Sequence, residues 1–283
     1  MLKLERLELV SRKIFAGTMR GERRSKRRGE SVEFADYRPY AVGDDLRFLD
    51  WNILARLDQL FIKLFLQEED LHVSLLIDVS ASMNFGRPDK MLYARRVAAA
   101  LAYIALVNFD RVSLYPYADG LVQELPGVRG RRLVRRILDF LSMIEPAGVS
   151  NLPLAARQYA IRHPQRGIVI VIGDLLDKAG FEPALRYLLA RDLDLYVIHV
   201  LAPQDLEPQL SGDLALVDVE DEDIAEVSVS RALVNRYKRN LQAYCQTLRD
   251  YCTLRGISYV LTSTENPFDQ LVLTYLRKRG LVR

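Results

Sequence analysis

Two cysteines, three histidines and one tryptophan among 283 residues exclude several kinds of protein at once. Cys245 and Cys252 cannot make a disulfide framework. On one helix they would lie about 10 Å apart along its axis, beyond the reach of a bridge. His72, His163 and His199 are scattered, with no cysteine beside them, so no structural zinc cluster is expected. This usage fits a reducing compartment. Long apolar runs are also missing. The longest without a charge, Val97 to Phe109, has 13 residues, whereas a helical membrane span needs about 20. The opening MLKLERLELVSRK alternates charge with leucine and does not read as a signal peptide. A cytoplasmic protein is expected.

Charge of one sign is scarce too. Lys and Arg number 40 against 37 Asp and Glu, a net +3. That excludes a polyanion binder driven by overall charge, though not one with a local patch. Signatures of nucleotide hydrolysis, serine hydrolysis and zinc proteolysis are absent: no GxxxxGK(S/T), no GxSxG, no HExxH. What remains is a globular composition, 49% hydrophobic and 27% charged, in a chain long enough to bury a core without staples.

From residue 71 a rhythm is present. LHVSLLIDVS (71–80), GIVIVIGDLL (167–176) and DLYVIHVLAP (194–203) are apolar throughout, and GISYVLTST (256–264) is a weaker copy. Runs apolar on both faces are what a buried parallel sheet requires. RVSLYPYAD (111–119) reads as another strand, lacking one ladder donor at Pro116. Helical patterns lie between, at 90–108, 131–144, 152–162 and 181–191. The long stripe of Leu233, Tyr237, Leu241, Tyr244, Leu248 and Cys252 predicts a core-facing helix over 230–255, and 267–279 predicts a last one. Strands alternating with helices give a doubly wound, mostly parallel α/β sheet. Residues 212–230 read as a hairpin around an acidic turn. Residues 1–70 lack the rhythm and are expected to form a smaller β-rich part, leaving 71–283 as the α/β domain.

Ligands of such sheets bind beyond the carboxyl ends of the strands, at the topological switch point. There stand Asp78, Ser80 and Ser82 after the first strand, Asp174 after the strand at 168–172, and Gly148 to Asn151 before a helix. Each alone reads as a turn or cap residue. Together they bring carboxylates and hydroxyls from three loops to one edge, a hard-oxygen set suited to Mg²⁺ or Mn²⁺. No histidine is placed to activate Ser80 or Ser82 as a nucleophile.

The motif D-V-S-A-S-M (78–83) resembles the metal-ion-dependent adhesion site of von Willebrand factor A domains. The resemblance implies a metal site of Asp78, Ser80, Ser82, Ser150 in place of the usual threonine, and Asp174, with Asp177 as the fallback. The stretch GESVEFADYRPYAVGDDLRFLDWNILAR (29–56), then KLFLQEED and the D-x-S-x-S-M strand, is similar to the signature of the DUF58 family. That resemblance covers almost the whole chain and implies a von Willebrand A-like domain in a short form without membrane helices. It also implies a non-enzymatic role: protein binding with a MoxR-type AAA+ ATPase in maturing or remodelling client proteins.

Within 29–56, Glu33, Asp36, Arg38, Asp44, Asp45, Arg47, Asp50 and Arg56 interleave with Phe34, Tyr37, Tyr40 and Trp51. This reads as a partly buried ion-pair network against aromatic packing, with Trp51 inside it. The alternative is a partner-docking face formed by Arg38, Asp44, Asp45, Arg47, Asp50, Trp51 and Arg56. Two basic clusters, RGERRSKRR (20–28) and Arg129, Arg131, Arg132, Arg135 and Arg136, read as solvated surface, because no aromatic interleaves the first to stack on a base. The alternatives to a protein-binding role are a metal-dependent hydrolase of a phosphate substrate and nucleic-acid binding through these clusters.

Overall fold

The computed structural model describes residues 9, 33–66, 71–163, 166–191, 193–210, 212–220 and 224–276. The basic run 20–28 and the centre of the acidic turn, 221–223, lie outside them. The described residues fall into two compact units, 33–66 and the remainder. Leu9 belongs with the larger unit, in whose core it is buried.

In the smaller unit β1 (Glu33–Pro39) pairs antiparallel with β2 (Phe61–Leu66), and α1 (Trp51–Leu57) lies between them. The expectation of a β-rich part holds for the strands but missed α1. Its start is set by Asp50, whose carboxylate accepts from the backbone N–H groups of Asn52 and Ile53. Its stop is set by Asp58 in the left-handed region, φ 50°. Seven residues are too few to show a helical stripe.

The expected burial of Trp51 is corrected. It is 65% exposed, because at the first position of α1 it finds no core: Leu49 and Ile62 are the buried apolar side chains among the described residues of this unit. The ion pairs are real but local. Arg38 grips Asp44 through two bonds of 2.7 and 2.6 Å, Arg47 closes on Asp45 at 2.6 Å, and Lys63 meets Asp50 at 3.1 Å. Trp51→Ala is therefore expected to change unfolding free energy by no more than about 0.5 kcal/mol, as for an exposed substitution. Urea denaturation measures it; a loss of several kcal/mol would put Trp51 in a core after all.

The larger unit opens with β3 (His72–Asp78), α2 (Lys90–Val107) and β4 (Arg111–Ala118). The short strands β5 (Gly120–Leu121) and β6 (Leu125–Arg129) fold back antiparallel on β4. Then come α3 (Val134–Met143), α4 (Leu152–Arg162), β7 (Gly167–Gly173), α5 (Phe181–Leu189), β8 (Leu193–Leu201) and the single turn α6 (Pro203–Leu206). The hairpin expected at 212–230 is β9 (Gly212–Val217) and β10 (Ile224–Val229). The chain continues through α7 (Arg231–Leu254), β11 (Ser258–Ser263) and α8 (Phe268–Gln270).

The main sheet runs β11-β8-β7-β3-β4-β5, with β6 on β4, and its pairings from β11 to β4 are all parallel. It is the doubly wound, mostly parallel sheet expected from the sequence. The unbroken apolar runs follow from its two covers. Val73, Leu75 and Ile77 of β3 and Ile168, Ile170 and Ile172 of β7 face the core built with α2. Leu76, Val169 and Val171 face the core built with α4, α5 and α7. From β3 the chain first steps outward to β4, then returns to β7 on the other side of β3. The switch point therefore lies at the carboxyl ends of β3 and β7.

Candidate functional site

Asp78 is the last residue of β3 and is almost wholly buried. Its Oδ1 accepts from the Ser80 backbone N–H at 2.9 Å and from Ser80 Oγ at 2.7 Å. Ser80 Oγ lies 2.9 Å from Ser82 Oγ, and Ser82 Oγ donates to Asp174 Oδ2 at 3.2 Å. From the third loop, Ser150 Oγ donates to Asp78 Oδ2 at 3.3 Å. All five residues of the predicted set thus meet in one chain of oxygens.

The local structure explains why these side chains are available. Asn151, not Ser150, caps α4, accepting from the Leu154 N–H at 3.1 Å, which leaves the Ser150 hydroxyl for the site. Asp177, the fallback, is committed elsewhere: it accepts from the Leu152 N–H at the start of α4 at 2.6 Å and from the Ala179 N–H of its own loop at 2.7 Å. Gly173 is required by space. A Cβ there would stand 2.7 Å from Asp78 Cβ and 3.1 Å from both Asp78 Oδ2 and the Tyr117 hydroxyl. Gly173→Ala is expected to push Asp78 aside and to cost about 1–3 kcal/mol of stability, the usual toll of overpacking. Thermal melting tests this, and an unchanged melting temperature would show that the cradle has slack.

Burial first, and the Asp174 charge second, push the Asp78 carboxyl up to about 7, against hydrogen bonds from Ser80 and Ser150. Sequence reasoning missed three neighbours. Tyr117, near the end of β4, is wholly buried, and its hydroxyl stands against the Asp78 carboxylate. Burial, then the charges of Asp78, Asp174 and Asp177, raise its pKa well above normal. Lys90, the first residue of α2, is 2% exposed; its Nζ donates to Asp174 Oδ2 at 2.7 Å and lies 3.6 Å from Asp205 Oδ2. Glu220, on the acidic turn of the β9–β10 hairpin, accepts from the Ser150 backbone N–H at 3.1 Å. Only Lys90 left a signal: a lysine in the first turn of a helix opposes the macrodipole and calls for a reason.

The donor chemistry fits a small hard cation. Ser80, Ser82 and Ser150 present hydroxyls between two carboxylates, a hard-oxygen donor set. No group of three or more His, Cys, Asp or Glu side chains suited to a metal occurs among the described residues. Any ion here would rest largely on hydroxyls and water.

Arg38, Asp44, Asp45, Arg47, Asp50, Trp51 and Arg56 belong to the smaller unit. Of the second basic cluster, Arg129 ends β6, where it pairs with Arg111 at the amino end of β4, and the others follow it. That is the end of the sheet opposite to Asp78, whose partner is Tyr117. No helix among the described residues is long and apolar enough to cross a membrane.

Comparison with known proteins places the chain. It is 28% identical over 274 residues to uncharacterized proteins of Mycobacterium tuberculosis and Mycobacterium bovis, covering 95% of this chain and 85% of each relative. Among solved structures, BatB of Bacteroides thetaiotaomicron matches 74% of this chain and 98% of its own, at 16% identity and a TM-score of 0.47. Proximal thread matrix protein 1 of the mussel byssus, described with a zinc-occupied MIDAS motif, matches 75% of this chain and 47% of its own, at 12% identity and 0.41. These likenesses are too distant to assign a ligand. A family model, described as protein of unknown function DUF58, matches residues 36–246, and on that span the chain belongs to the DUF58 family.

Proposed function

We propose that the protein is a non-enzymatic binding module whose carboxyl-edge site holds Mg²⁺ or Mn²⁺ and receives an acidic side chain of a partner protein. The observation that carries this reading is the convergence of Asp78, Ser80, Ser82, Ser150 and Asp174 from three loops on the switch point. Ser80, Ser82 and Ser150 would hold the ion, with Asp78 and Asp174 supplying its anionic partners. The bound ion would supply a positive charge to which a carboxylate is drawn. The protein's own part is to present the hydroxyls on a rigid strand end and to keep Asp78 out of bulk water.

The partner favoured by family membership is a MoxR-type AAA+ ATPase or one of its clients, with the exposed Trp51 face of the smaller unit as a second contact. Calorimetric titration with Mg²⁺ and Mn²⁺, and capture of the ATPase with and without EDTA, test the reading. No heat of binding and EDTA-insensitive capture would refute it. One observation favours a second reading, hydrolysis of a phosphate ester: Lys90 brings a cation that the motif itself lacks. A phosphatase and nuclease panel with either metal separates the two.

A further inference from the structure

Among the described residues, Lys90 is the buried ammonium at the carboxyl edge, and the binding reading leaves it without a task. A fully buried lysine is costly unless paired. Here it is paired on two sides, with Asp174 Oδ2 at 2.7 Å and Asp205 Oδ2 at 3.6 Å. Its partners come from two loops. Asp174 follows β7 and Asp205 lies in α6, whose first turn it also ties by accepting from the Ala202 N–H at 2.8 Å. The Phe85 ring, 5.6 Å from Nζ, closes the apolar side.

The decisive detail is which oxygen Lys90 uses. It takes Asp174 Oδ2, the same atom that Ser82 Oγ reaches at 3.2 Å. The ammonium therefore sits one atom away from the chain of hydroxyls that runs back to Asp78. Asp174, one of the two carboxylates of the site, is already paired with a cation from within, which it shares with Asp205. An ion arriving there meets a repelling charge at close range and in a poorly solvated place, where such a charge acts strongly.

We propose that Lys90 is a built-in competitor of the dication, setting the affinity of the site low by holding Asp174. This rests on the metal reading above and adds its regulation: an ion binds weakly alone and is retained when an incoming carboxylate restores the anionic charge that Lys90 removes. Nothing in a merely structural lysine would produce that coupling, since a structural pair affects stability and leaves ion affinity alone.

The test is calorimetric titration of the full chain with Mg²⁺ alone, and with Mn²⁺ alone, on wild type, Lys90→Met and Lys90→Arg, with thermal melting of each. Methionine keeps the length and removes the charge; arginine keeps the charge. Lys90→Met is expected to bind either ion roughly tenfold or more tightly than wild type, as removal of a nearby like charge requires, while Lys90→Arg stays near wild type. Should Lys90→Met be unfolded, Lys90→Gln, uncharged and able to donate to Asp174, is judged by the same shift. If wild type binds the ions and a folded Lys90→Met binds them no more tightly, the inference is overturned and the metal reading stands. If the variant alone binds, Lys90 silences the site: the inference stands and the metal reading falls for the wild type. If neither binds, both fall.

Discussion

Asp78→Ala is expected to abolish the heat of Mg²⁺ and Mn²⁺ binding and metal-dependent partner capture, while the protein still unfolds in a single cooperative transition. Asp78 is the one carboxylate of the site not held by Lys90, and its Oδ1 organises the Ser80 backbone and hydroxyl. Without it, a dication would face three hydroxyls and an aspartate whose charge is already matched, a poor set for a hard ion. The loss should exceed that from Ser150→Ala, which removes a single neutral donor 3.3 Å from Asp78. The fold should survive because Asp78 is itself a burden to the metal-free protein: burial and Asp174 both disfavour its charged form. Removing the carboxylate relieves that cost and offsets the two hydrogen bonds lost at Ser80. Calorimetry, pull-down with and without EDTA, and melting curves give the answer together. A variant that melts normally and still captures its partner in EDTA would move the interaction to another face, with Trp51 as the first place to look.

How much of this was legible beforehand depended on distance along the chain. The runs 71–80 and 167–176 announced strands covered on both faces, and β3 and β7 are buried on both. The helix at 152–162 was bounded correctly because its signals are local: Asn151 as the cap and Pro153 in the first turn. The site edge was legible because strand ends in a doubly wound sheet must converge at the switch point. By contrast, Lys90 meets Asp174 across 84 positions, and Ser150 meets Asp78 across 72. Sequence pattern carries no measure of such pairings. Nothing in the run 111–119 sets Tyr117 apart; the register of β4 on β3 sets it opposite Asp78, and its hydroxyl stands at the site. Trp51 was misread because an interleaving of charge and aromatics looks the same whether the segment is packed in a core or forms a thin layer with little interior.

Two buried groups of opposite sign should shape the acid stability of the metal-free protein. His199 lies in β8, wholly buried, with Nδ1 2.8 Å from the Tyr259 hydroxyl. Burial pulls its pKa down to about 4, against the attraction of Asp174 and with some help from Lys90. A histidine so depressed favours folding above its unfolded value of about 6.5 and loses that contribution as pH falls toward 4. Asp78 behaves in the reverse sense. Raised from 3.8 to about 7, it favours folding below the unfolded value and loses that contribution as pH rises through 7. Between pH 4 and 6.5 the two slopes oppose each other, each on the order of 1 kcal/mol per pH unit, so in wild type they largely cancel. Substitution should uncover each alone. Asp78→Asn keeps the shape and removes the carboxyl titration, so relative to wild type it should become less stable as pH is lowered from 6.5 to 4. His199→Gln removes the histidine titration and should show the mirror image, gaining on wild type over the same interval. Urea unfolding of the three proteins in EDTA, at half-unit steps from pH 4 to 8, measures the differences directly, so the many exposed carboxylates common to all three cancel. Parallel curves for wild type and Asp78→Asn would mean that Asp78 is ionised throughout, which would require a counter-charge at its carboxylate stronger than any the loops around it provide.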